Sequence, residues 1–216
     1  MGFYFYDNTW NNNNIWNTLF CSPYVDSMKK LLGIIVLSLL LSVTSKADDI
    51  SNFEIEEMSI GDTLLQFYNK DEIINYRYTN SYKDDKFLSI GIESENFKTY
   101  EVVDIEYLKE DKNLLIKAIS GIIYQSDIED CYKKMETIGD ELSSLFSSAK
   151  VSSGEHAHTA DPSGKSTVRD ITFDLANGSI LVQCYDYNSS EIGSDNLTLS
   201  IWSKTFVEYL ETNPYN

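Results

Sequence analysis

Residues 114–148 read LLIKAISGIIYQSDIEDCYKKMETIGDELSSLFSS, and the change of period inside this run decides the fold class. Leu114 to Tyr124 is rich in Ile and reads as a strand. Ser126-Asp127-Ile128-Glu129 then carries a capping-box pattern, in which the Ser hydroxyl takes an orphan amide and Glu129 reaches back. Behind it Ile128, Cys131, Met135, Ile138, Leu142 and Leu145 recur at steps of 3, 4, 3, 4, 3. That spacing predicts an amphipathic helix over about 127–148, packed on a sheet, with Cys131 on its apolar stripe.

Working outward, the upstream segments carry strand periodicity. Val103, Ile105 and Tyr107 share one face of a strand over 100–107, and Leu88, Ile90 and Ile92 alternate in another. Glu110-Asp111-Lys112-Asn113 is the hairpin turn into the Ile-rich strand. Phe53 to Ile60 alternates crudely and stops at Gly61-Asp62, where Asp62 can cap a helical turn bearing Leu64, Leu65 and Tyr68; Lys70 to Tyr76 reads as a second short helix. Downstream, Lys150 to Lys165 lacks periodicity and reads as a loop. Ile171, Phe173 and Leu175 alternate up to Asn177-Gly178, a type I′ hairpin signal, and Ile180, Val182 and Cys184 alternate on the return. After a polar loop over 185–195, Leu197, Leu199 and Ile201 form a last strand, and Thr205 to Glu211 a short helix stopped by Asn213-Pro214.

Hairpins rather than crossovers join these strands, so the fold class is α+β with antiparallel sheet, arranged as two tandem helix-plus-three-strand units. Cys131 and Cys184 both fall on inward faces. As the only two cysteines after position 47, they are expected to pair and staple the long helix to the second hairpin, the other reading being two buried thiols.

The chain of 216 residues opens with two unlike pieces. Met28-Lys29-Lys30, the uncharged run Leu31 to Val43 and the small residues of Ser45-Lys46-Ala47 are the three parts of a secretory signal over 28–47, with cleavage between Ala47 and Asp48. The apolar run is too short to span a bilayer, which needs about 20 residues. No membrane insertion is therefore expected after cleavage, and the mature protein is expected to be periplasmic or secreted. Residues 1–27, with Asn11 to Asn14 and a scatter of aromatics, form a leader too long for an n-region, and translation is expected to begin at Met28. Residues 48–216 are expected to form one domain.

The first 47 residues hold two acids and three bases, so of the chain's 34 acidic and 17 basic residues, 32 and 14 fall later, a net of −18. Such a field repels phosphate backbones and anionic headgroups, which excludes nucleic acid as a partner. A protein or a small ligand remains as the expected partner.

Motifs for chemistry are incomplete. Gly164-Lys165-Ser166 has the tail of a phosphate loop, but Thr159 stands where its first Gly belongs and a strand follows rather than a helix. Asp186 to Leu197 imitates a calcium loop with Glu191 at the position that needs Gly and Leu197 at the position that needs Glu. No Ser lies in a nucleophile elbow, and no cofactor is indicated. His156 and His158, with Asp161 and Glu155 near, are the right ligand types for Zn²⁺ or Cu²⁺, set against the reading of a solvated loop.

Segments such as Met58-Ser59-Ile60-Gly61-Asp62-Thr63-Leu64-Leu65 and Ile119-Ser120-Gly121-Ile122-Ile123-Tyr124, with the Asn-, Ile-, Lys- and Tyr-rich usage, resemble uncharacterised exported proteins of marine bacteria with AT-rich genomes. The resemblance implies no activity and no site residues. The functional expectation is an exported, non-catalytic binding or interaction domain; the alternative is a metal-dependent binder or enzyme using the 155–165 loop.

Overall fold

The structure is a computed structural model that describes residues 49–78, 82–159 and 161–212. The signal segment, its Ala47–Asp48 junction and the leader before it lie outside the described residues. Among the described residues no helix is long and apolar enough to cross a membrane.

The mixed α+β fold is built on one seven-stranded antiparallel sheet. Its strands are β3 (Phe87–Glu93), β4 (Val102–Leu108), β5 (Ile116–Tyr124), β6 (Lys150–Ala157), β7 (Thr167–Leu175), β8 (Gly178–Asp186) and β9 (Asn196–Ser203). Their spatial order is β3-β4-β5-β9-β8-β7-β6. Two meanders, one of three strands and one of four, thus join edge to edge where β5 pairs with β9, with Ile119 opposite Ile201 and Ser120 opposite Ser200. The tandem arrangement expected from the sequence is present as a single continuous sheet, with four strands rather than three in its second unit.

Period-2 alternation gives the sheet two unlike faces. Ile90, Ile105, Ile119, Ile201, Val182 and Phe173 from six strands are all buried on one of them. Over that face lies α2 (Ile128–Leu145), which packs on β7, β8 and β9 with Cys131, Met135, Gly139 and Leu142 turned inward. The N-terminal segment closes the same face beside it, by way of a 3₁₀ turn (Ile50–Asn52), a small hairpin of β1 (Glu54–Ile55) and β2 (Met58–Ser59), a second 3₁₀ turn (Leu64–Gln66) and α1 (Lys70–Asn75). Ile50, Ile55, Met58, Leu64 and Ile73 from this segment join the same core. The Cys131–Cys184 disulfide, with Cα atoms 6.0 Å apart, ties α2 to β8 as the sequence led us to expect.

The β1–β2 turn places Glu56 and Glu57 at φ 50° and 68°, unusual for residues with a side chain. The Glu56 carboxylate repays the strain by accepting from the backbone amides of Lys98, Thr99 and Tyr100 at 2.8, 2.7 and 3.1 Å, which pins the β3–β4 connection to this hairpin.

Four local expectations are corrected. Residues 150–157 are not loop but the edge strand β6, exposed along its whole length. With solvent on both sides an edge strand needs no alternation, and its ladder to β7 supplies the order that its side chains do not. The cap of α2 is Asp127, whose carboxylate accepts from Glu129 N–H at 2.9 Å, rather than Ser126 in a capping box. A box does form one helix earlier, between Asn69 and Glu72 at the start of α1. Asp62 caps no helix: it accepts from Ser59 N–H at 2.8 Å, and Thr63 caps the turn that follows. The β7–β8 hairpin sits where expected, but its two turn residues are Ala176 and Asn177, neither at positive φ, so it is not type I′. Gly178 is needed by proximity instead, because a Cβ there would lie 2.1 Å from the Trp202 carbonyl oxygen.

Helix α3 (Lys204–Leu210) follows β9 without a loop and folds back over the opposite face. There Phe206 and Tyr209 meet Tyr82, Phe87 and Ala118 in a second, smaller cluster. The Tyr209 hydroxyl donates to Asp84 Oδ1 at 2.6 Å, which anchors the helix to the chain that leads into β3.

Candidate functional site

The second face of the sheet is polar where the first is apolar. Reading across the register, Asp104 (β4), Ser120 (β5) and Ser200 (β9) stand in one row, and Ile122, Thr198 and Gln183 in the next. Together with Glu106 they floor a cavity of about 320 Å³. One end is walled by Tyr82, Trp202 and Phe206 beneath α3, the other by His158, Tyr185 and Tyr187. The aromatic end-wall is ordered by ring contacts: Tyr185 and Tyr187 stack with centroids 6.1 Å apart, and His158 leans on Tyr187 at 5.1 Å.

Most hydroxyls on the floor satisfy one another. Ser120 and Ser200 share a hydrogen bond of 2.8 Å between their Oγ atoms, and Thr198 donates to Asn196 Oδ1 at 2.8 Å. Neither arrangement sets a hydroxyl against a base, so no activated nucleophile results. Tyr78 reaches in from the segment before β3, lying over Gly91, where any Cβ would strike its hydroxyl. From there it donates to Asp104 Oδ1 at 2.8 Å.

The two carboxyls behave differently. Burial raises Asp104 above the usual carboxylate range, opposed by the bond from Tyr78. Glu106 is pushed up to about 8, first by burial and then by the charge of Asp104. Its Oε2 is sealed from solvent and has no hydrogen-bond partner among the described residues. Burial also lowers His158, against the pull of Asp161.

The three residues singled out as metal ligands are placed as follows. His156 lies on β6 with Nδ1 3.6 Å from Asp170 Oδ1, and His158 belongs to the aromatic end-wall. Asp161 is buried and accepts from Ser163 N–H, Ser163 Oγ and Ser166 N–H at 2.8, 2.9 and 2.8 Å, which hold it well below the usual carboxylate range. Its oxygens are thus spent on shaping the 158–166 loop. Among the described residues no group of three or more His, Cys, Asp or Glu side chains converges to hold a metal ion.

Sequence reading did not single out Asp104 and Glu106. The available signal was their alternation with Val103, Ile105 and Tyr107, which places both carboxyls on the face away from the core. Among 34 acidic residues that signal is diluted. Ser120, Thr198 and Ser200 carry the same alternation in β5 and β9, and only the β5–β9 pairing brings them beside β4. No family model, curated protein or solved structure matches the chain.

Proposed function

We propose that the protein is an exported, non-catalytic domain that binds a small polar ligand on the open face of its sheet. The observation that carries this reading is the cavity over β4, β5, β8 and β9, with a polar floor, aromatic walls and a carboxyl left short of donors. A volume of about 320 Å³ suits a small molecule, at the low end of the range for ligand pockets. The Cys131–Cys184 bond is consistent with an oxidising compartment.

Thermal unfolding of the purified chain against a panel of sugars, amines, amino acids and carboxylates tests the reading. At least one compound should raise Tm in the unmodified protein and fail to do so in Ser200→Phe, whose ring fills the floor. No shift by any compound, or equal shifts in both proteins, would count against it.

A further inference from the structure

We infer that the cavity takes a small organic ammonium ion, its N–H groups received by the carboxyls of Asp104 and Glu106 and its carbon stem laid against the aromatic walls. This rests on the reading of the cavity as a ligand site, and it names the ligand's class.

The balance of donors and acceptors decides the sign of the charge. Two carboxyls project from adjacent same-face positions of β4, and among the described residues neither Lys nor Arg lines the cavity. An anion would meet carboxylates and no cation. A neutral polyol would find hydroxyl and amide partners on the floor but would leave the paired carboxyls without an opposite charge, which an ammonium ion supplies together with its donors. What remains open is acceptor capacity, most plainly at the Glu106 carboxyl, which lines the cavity and whose Oε2 has no hydrogen-bond partner among the described residues. A buried polar atom left unbonded is costly, and an incoming N–H relieves that cost. The walls suit the same ligand, since Tyr82, Trp202, Tyr185 and Tyr187 offer ring faces that attract a cation and apolar surface that receives its stem. The acidic surplus of the chain adds a field that draws cations toward it.

Binding of this kind is coupled to protons. With Glu106 raised to about 8, the empty cavity holds that carboxyl neutral at pH 7, and an ammonium ion stabilises its charged form. Cation binding therefore expels a proton below pH 8, and affinity rises with pH up to that point. Asp104 on the same strand and Tyr78 in front of it are the nearest ionisable groups. Tyr82, Tyr209 and Tyr124 approach from the neighbouring elements, and His158, lowered by burial, lies at the far end.

Calorimetric titration of the full chain with 1,4-diaminobutane tests the inference, with glucose and acetate as neutral and anionic comparators. The diamine should bind, with affinity rising up to about tenfold per pH unit from 6.5 to 8 and heats that depend on the buffer's ionisation enthalpy. Glu106→Gln, which keeps the shape, should weaken binding tenfold or more and flatten the pH dependence. Asp104→Asn should weaken binding and, by removing a charge that helps raise Glu106, shift the pH dependence to lower pH. Equal affinity in the parent and Glu106→Gln overturns the assignment, as does a pH-independent affinity. Binding of glucose or acetate in place of the diamine sinks the ammonium class and leaves the cavity as a ligand site. Silence from every probe, together with no shift across the thermal panel, sinks both.

Discussion

On β4, Val103, Ile105 and Tyr107 are buried beneath the N-terminal segment, while Asp104 and Glu106, each one residue along, open onto a polar cavity. The same contrast runs across β5, β9 and β8. One face of the sheet is covered by α2, the hairpin and two 3₁₀ turns, and cross-linked by a disulfide; the other carries α3 at one end and the polar cavity beside it. Strand alternation lets each strand serve both faces, because the packed core and the polar cavity are assigned to opposite sides of a shared backbone ladder. The buried face supplies the rigidity on which the carboxyls of the open face are held.

The contrast breaks first at the buried face. Phe173→Ala removes a fully buried ring under α2 and should cost about 3–5 kcal/mol in urea unfolding, while Ser120→Ala on the open face should cost under about 1 kcal/mol. Equal losses would mean that the open face is also structural.

Next in size is the disulfide. Its partners are 53 residues apart, so Cys131→Ala with Cys184→Ala should destabilise by about 4 kcal/mol on the chain-entropy model, read from the shift in urea midpoint. Ligand binding to whatever folded protein remains should survive, since the bond touches only the covered face.

The open face answers to pH. Glu106 gives up its proton near the ordinary 4.5 when unfolded and at about 8 when folded, so between these values the unfolded state binds fewer protons and stability falls as pH rises. Glu106→Gln should remove this loss, leaving the variant about 1–3 kcal/mol more stable than the parent, relative to their difference at pH 5, when unfolding is compared at pH 9. A parent protein whose stability is flat from pH 5 to 9 would contradict the buried, unpartnered carboxyl.

The smallest effect sharpens the account of α2. Asp127→Ala should cost about 1 kcal/mol by removing the bond to Glu129 N–H, and Ser126→Ala less than half of that, measured by thermal unfolding. The reverse order would restore Ser126 as the cap.

Much of the buried face was legible. The 3-4 spacing in α2, the alternation in β3, β4, β7, β8 and β9 and the Ile-rich run of β5 are direct imprints of burial on sequence, and the inward placement of both cysteines followed from the same periodicities. β6 was not legible, because a strand wetted on both sides carries no apolar period and owes its order to the backbone of β7. The open face was visible only as polar gaps between apolar residues. A carboxyl at position 104 or 106 looks like any other surface acid until its neighbours are known.

The sequence by itself determined the class of most elements, the side of the alternating strands that faces the core, and the strong acidic surplus, because these depend on local period and composition. The tertiary structure alone decided that β5 and β9 pair, since nothing local specifies which edges of two meanders meet. That pairing sets Ser120 beside Ser200 and brings two carboxyls of the first unit to face the aromatic wall of the second. The raised Glu106 carboxyl reflects such long-range packing, because desolvation depends on what packs around a residue and not on its neighbours in the chain.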